Sequence, residues 1–260
     1  MFPAKAKTKY FPRNLAVASS RNEDVYEFLV VWDHQIESLP EILRVFSKHK
    51  AKVTLAHSQL DEDTDTVVGT FFYNLAKADE SAENIGKEIK TLRFVRTVEV
   101  ASTANSLFDK FLFPVTIWGQ ERVVMMRMEP LLNIERRLVQ ELGSAGSAIM
   151  FREGEGYATA TVDQYRKVLG SVTIESLLEN LRDGLRATGW GIFEFEATKD
   201  GYVVTVESAP ALPQATEPSR FLCGIIAGIL EALLSANMSV VESNIDQKSG
   251  RVVVKLLKSG

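Results

Sequence analysis

From residue 25 to residue 102 hydrophobic and polar positions alternate in short runs whose period changes repeatedly. EFLVVWD (27–33) is a Val-rich apolar run of strand length. Leu39, Ile42, Leu43 and Phe46 follow at i, i+3, i+4 and i+7, the stripe of an amphipathic helix. AKVTLAHSQL (51–60) returns to period two, with Val53, Leu55 and His57 on one side and Lys52, Thr54 and Ala56 on the other. That places His57 on the apolar face, where a satisfied structural role is expected. The acidic DEDTD (61–65) reads as a hairpin turn and TVVGTFFYNLA (66–76) as the returning strand. Ala82, Ile85, Ile89 and Leu92 mark a second helix, and RFVRTVEVAS (93–102) a last strand. The predicted order is βαββαβ, the split βαβ arrangement of ferredoxin-like domains.

The small polar stretch STANS (102–106) reads as a linker, and the pattern changes beyond it. FDKFLFPVTIW (108–118) and RVVMMRM (122–128) read as strands. Leu131, Ile134, Leu138 and Leu142 predict a helix closed by Gly143. SAIMFREG (147–154) reads as a strand, followed by a long helical zone interrupted near Gly170. Its second part carries Ile174, Leu177, Leu178, Leu181 and Leu185 and ends at Gly189. GWGIFEFEA (189–197) alternates, with Phe193 and Phe195 on one face and Glu194 and Glu196 on the other. Asp200-Gly201 supplies a hairpin turn, and YVVTVESA (202–209) runs back. A helix with Pro218 near its first turn precedes SVVESNI (239–245) and RVVVKLL (251–257), joined by DQKSG (246–250). The expected class is α+β in both halves. The expected division is a tail at 1–24, one domain at 25–103 and a second at 104–260.

Two stretches carry resemblances. HQIESLPEILRVFSKHKAKV (34–53) resembles the strand-end, turn, helix and strand-start of the ACT domain, a small-molecule regulatory module. The Pro-Gly of that family's turn is Ile36-Glu37 here, and the Gly and Asn before its second strand are Lys50 and Lys52. A Glu side chain in place of the glycine obstructs and repels an amino-acid carboxylate. The resemblance therefore implies dimerisation or a second effector input as readily as amino-acid binding. LGSAGSAIMFREGEG (142–156), LLENLRDGLRATGWGIFEFE (177–196) and above all FLCGIIAGILEALLSANMSVVESNID (221–246) resemble the 4-vinyl-reductase domain family. That family is related in fold to subunits of vesicle-tethering complexes, and many of its members sense small aromatic or hydrophobic ligands. The resemblance also keeps two other functions open: handling of a vinyl-substituted tetrapyrrole, and an assembly module without ligand.

Composition narrows the picture. The chain has 260 residues, 45% of them hydrophobic and 25% charged, with net charge −4. These values fit a globular protein and give no basic surface for nucleic acid. The single cysteine fits a reducing compartment, and the basic N-terminus lacks the apolar core of a secretory signal, so a cytoplasmic protein is expected. The apolar run from Phe221 to Leu234 is too short to span a bilayer, which takes roughly 20 residues. Gly224 and Gly228 within it then read as close-approach points against a neighbouring element.

Candidate chemistry is sparse. All three histidines, His34, His49 and His57, lie in the first half, with His34 and His49 read as solvated. Cys223 therefore has neither a second cysteine nor a histidine near it in sequence to complete a zinc set or to activate it. GSAGSA (143–148) lacks the Lys-Ser/Thr of a phosphate loop, and no cofactor is assigned. No catalytic residue is assigned either, and a non-enzymatic role is expected. What remains is aromatic: Trp118, Phe151, Tyr157, Trp190, Phe193, Phe195 and Phe221, with Ser208 and Cys223. Taken one by one these read as core. The resemblance implies that they line a closed pocket for a flat hydrophobic or aromatic ligand. The resulting expectation is a small-molecule sensor, homodimeric, acting on a regulatory partner protein.

Overall fold

Phe28, Val30 and Trp32 alternate along β1 (Val25–Asp33) and are buried against two helices, which sets the first half of the structure. The computed structural model describes residues 24–103, 110–112, 115–117, 121–211, 215–246 and 248–258. The chain divides into two compact units, one ending at Val124 and the other beginning at Met125.

The first unit continues through α1 (Ser38–Lys48), β2 (Lys52–Asp61), β3 (Thr66–Asn74), α2 (Ala82–Lys90) and β4 (Val95–Ser102). Its strands form one antiparallel sheet in the order β2-β3-β1-β4, the expected split βαβ arrangement. Ile42, Val45 and Phe46 on α1 and Ala82, Ile85 and Ile89 on α2 bury the helical stripes against the sheet. Phe46 stacks on Tyr73 at 3.9 Å and meets Phe28 edge-on at 4.9 Å. Ser81 caps α2, its hydroxyl accepting from the Asn84 amide at 3.3 Å. The sheet's opposite face is covered too: Glu27, Thr70 and Phe72 are buried there, and the Glu27 carboxylate accepts from the Lys110 amide at 3.0 and 3.2 Å.

Two expectations for this unit change. His57 is exposed, because β2 is an edge strand whose side chains are covered on neither face. His49 is not solvated: its side chain is 13% exposed and bridges Asp79 and Glu88.

Beyond residue 103 the two expected strands shrink to a pair of two-residue strands, β5 (Thr116–Ile117) and β6 (Glu121–Arg122). The apolar run that follows forms no strand, and Val124, Met125 and Met126 are exposed.

The second unit holds α3 (Met128–Leu142), α4 (Ser144–Leu169), α5 (Ile174–Ala187), β7 (Ile192–Ala197), β8 (Gly201–Glu207), α6 (Arg220–Leu234), β9 (Met238–Asp246) and β10 (Arg251–Lys258). Its sheet is antiparallel in the order β7-β8-β10-β9. The segment expected as a strand at 147–154 is the first part of α4, a 26-residue helix. The buried positions of α4 are Gly146, Met150, Gly154, Ala158 and Val162, one every fourth residue. Three of these five are glycine or alanine, so the stripe has almost no apolar signal of its own.

That stripe exists to receive α6. Every residue from Leu222 to Leu230 is buried, as in a helix enclosed on all sides. Gly154 lies so close to α6 that a β-carbon would sit 2.2 Å from the Phe221 carbonyl oxygen. Gly224 approaches α4 in return, 2.0 Å from the Phe151 carbonyl oxygen by the same measure. The reading of Gly224 and Gly228 as close-approach points holds. Among the described residues, no helix is long and apolar enough to cross a membrane.

Candidate functional site

Trp190 is held by the way α5 ends. The helix closes on Thr188, and Gly189 follows at φ +90°, a left-handed conformation suited to glycine. The Trp190 amide donates to the Leu185 carbonyl at 2.9 Å and the Gly189 amide to the Arg186 carbonyl at 3.1 Å. This pair of bonds is a Schellman motif, which fixes the chain direction at Trp190. Gly191, at φ +119°, then lets the backbone lie against Glu207 and Ser208 at the end of β8.

Two further rings meet Trp190. Phe221 stacks on it at 5.5 Å with planes 25° apart, and Tyr157 stands 6.0 Å from Trp190 and 6.1 Å from Phe221. The three rings come from α4, from the α5–β7 turn and from the first turn of α6. Tyr157 is 41% exposed, while Trp190 and Phe221 are half-buried on the hydrophobic core. The site is an open aromatic face, not the closed pocket expected. Aromatic pairs at such separations contribute roughly 0.5–1.5 kcal/mol beyond the area they bury.

The other candidates fall around this face or beneath it. Phe151 is half-buried on α4, six residues before Tyr157. Phe193 is core, 1% exposed, and Phe195 stacks beside it at 6.2 Å on the same face of β7. Ser208 is exposed at φ +54°, its backbone flanking Gly191. Trp118 lies outside the described residues. Cys223 is completely buried and faces Ser243 of β9. Burial pushes its thiol up to about 11, so it is a neutral packing group, not a nucleophile.

Glu135 is a functional carboxylate of another kind, and periodicity did not single it out. It is 9% exposed on α3 and reaches the N-terminus of α6. There it accepts from the Ser219 hydroxyl at 2.6 Å and from the Arg220 amide. Ser219 in turn accepts from the Leu222 amide at 3.2 Å. A negative group at a helix N-terminus is favourable, so Glu135 anchors the turn that presents Phe221. On α4, burial raises the pKa of Glu155, opposed by the Arg152 guanidinium 2.9 Å away. A shallow groove of about 330 Å³ on α3, lined by Pro130, Asn133, Ile134 and Arg137, shares no residue with the aromatic face. Among the described residues, no three His, Cys, Asp or Glu side chains gather into a metal-binding group.

No protein-family model and no curated protein sequence matches the chain. Solved structures show partial likeness. A formyltetrahydrofolate deformylase from Pseudomonas putida is 12% identical over 30% of this chain and 29% of its own, with a TM-score of 0.28. The chain thus spans under a third of the deformylase it matches. The phenol-responsive sensory domain of the transcription activator PoxR, solved with phenol, is 14% identical over 53% of this chain and 78% of its own, with a TM-score of 0.40. An H-NOX structure is 12% identical over 54% and 77%, with a TM-score of 0.37. Likeness of this degree assigns no function.

Proposed function

We propose that the second unit binds a flat aromatic or hydrophobic small molecule on the face formed by Tyr157, Trp190 and Phe221, and that the protein acts as a small-molecule sensor. The observation that carries this reading is the meeting of three rings from three separate elements at a partly exposed surface. A ring needed only for the core would gain more from full burial, as Phe193 does at 1% exposure. The stacked Trp190–Phe221 pair offers a π surface, and Tyr157 adds a hydroxyl at the exposed rim.

The site is also placed to transmit. Phe221 sits on the first turn of α6, whose glycines pack directly on α4. A ligand that shifts Phe221 works against that close packing, which has little room for continuous adjustment. The first unit serves as the pairing or second-input domain, and a regulatory partner protein reads the change. The direct test is tryptophan emission of the full chain titrated with naphthol and with indole. The reading predicts a change that is lost in Trp190→Phe; a response that persists there comes from Trp32 or Trp118 and counts against it.

A further inference from the structure

We infer that the first unit pairs with a second copy of the chain along the free edge of β2, in one antiparallel register centred on His57. This rests on the pairing role proposed for that unit and on nothing at the aromatic face.

β2 ends the sheet order, and its ten residues are exposed or only half-buried throughout. A strand of this length with an open edge is a template for another strand unless something blunts it. Among the described residues nothing pairs with its outer side. Val53 is 53% exposed and Leu60 43%, unusual for large apolar groups on an edge.

The strand complements itself, and a bulge is the reason. Between Val53 and Leu55 the register against β3 slips, with Thr54 as the extra residue. The Thr54 hydroxyl donates to the Phe72 carbonyl at 2.9 Å, which holds the bulge. Without it, Val53 and Leu60 would lie on opposite faces, because side chains alternate with period two. With it, Val53 pairs with Tyr73 and Leu60 with Val67, both on the helix-covered side. Lys52 and Asp61, opposite Asn74 and Thr66, fall together on the other side.

Two copies related by a two-fold axis through His57 then match at each place. Lys52 faces the partner's Asp61, and Val53 faces the partner's Leu60. Leu55 meets Gln59, Ala56 meets Ser58, and His57 meets its own copy. The arrangement joins opposite charges at both ends and covers the two exposed apolar groups, with every opposed pair on a common face. An eight-stranded sheet results.

The test is sedimentation of the full chain with charge swaps. Lys52→Glu alone and Asp61→Lys alone each place like charges opposite one another at both ends. Each should weaken the dimer roughly tenfold or more, and the double variant should restore it. Cysteine cross-linking fixes the register: His57→Cys should form a disulfide between copies under mild oxidation, and Ser58→Cys should not, since only residue 57 faces itself. A monomeric wild-type chain at tens of micromolar overturns the inference. So does a dimer indifferent to both charge reversals, or one cross-linked equally at 57 and 58.

Discussion

Gly154 on α4 and Phe221 on α6 are in backbone contact: a β-carbon on Gly154 would lie 2.2 Å from the Phe221 carbonyl oxygen. The contact places the residue that stacks on Trp190 directly on the helix that carries Tyr157. Gly154→Ala should therefore destabilise the protein by about 2–3 kcal/mol despite the better helix propensity of alanine, because two backbones have to separate. Gly156, two residues along, meets nothing within 4 Å. Gly156→Ala should be neutral or stabilising by up to about 1 kcal/mol. Urea unfolding of both variants checks the pair, and equal effects would remove the close-packing argument.

The carboxylate of Glu135 should matter more for stability than its place on an otherwise exposed helix suggests. It accepts from Ser219 and Arg220 at the start of α6. Glu135→Ala should cost about 2–3 kcal/mol, the range for a hydrogen-bonded charge and the donors it leaves unmet. Glu135→Gln keeps one acceptor and should lose less. Denaturant midpoints of the three chains measure the order.

His49 makes the first unit pH-sensitive. Its ring nitrogens stand 3.0 Å from Asp79 and 2.7 Å from Glu88, and only the imidazolium can donate to both. Glu88, then Asp79, hold its pKa above the ordinary 6.5, against burial and the nearby Lys48. Lys48 and Lys50 also bind these carboxylates, and Glu80 faces His49 from the same loop. The pKa of His49 is raised, so its stabilisation is complete below about pH 6.5 and disappears as pH climbs through the raised value. Asp79 and Glu88 are lowered, chiefly by hydrogen bonds to His49, so theirs is lost only as pH falls through those lowered values. Thermal stability should fall from about pH 6 to pH 9, and His49→Gln should flatten that slope. An unchanged slope in the variant would assign the effect elsewhere.

Cys223 should be silent toward thiol reagents in the folded chain. Burial raises it to about 11, and its side chain has no exposed surface. Reaction at pH 8 should appear only with unfolding, which a reagent assay with and without denaturant reads directly.

The βαββαβ half was legible because its core residues announce themselves. Phe28, Val30 and Trp32 alternate, while Ile42 and Phe46 repeat at helical spacing. The Gly-Trp-Gly run likewise marked Trp190 as a fixed anchor beside a strand. α4 was misread over residues 147–154 because its buried stripe is mostly glycine and alanine, chosen for approach and not for hydrophobicity. His57 was misplaced because alternation does not tell an edge strand from a central one. Glu135 and His49 could not be found from local pattern at all. Their partners lie 84 and 39 residues away, and only the folded chain brings them together.

The central claim is ligand binding on the Tyr157–Trp190–Phe221 face, and calorimetric titration of the full chain with naphthol tests it most directly. The predicted result is saturable binding to the wild-type chain, weakened about tenfold or more in both Trp190→Ala and Phe221→Ala while those variants keep a cooperative unfolding transition. Absence of binding by the wild-type chain up to millimolar naphthol and indole, or equal affinity in the two variants, would contradict it.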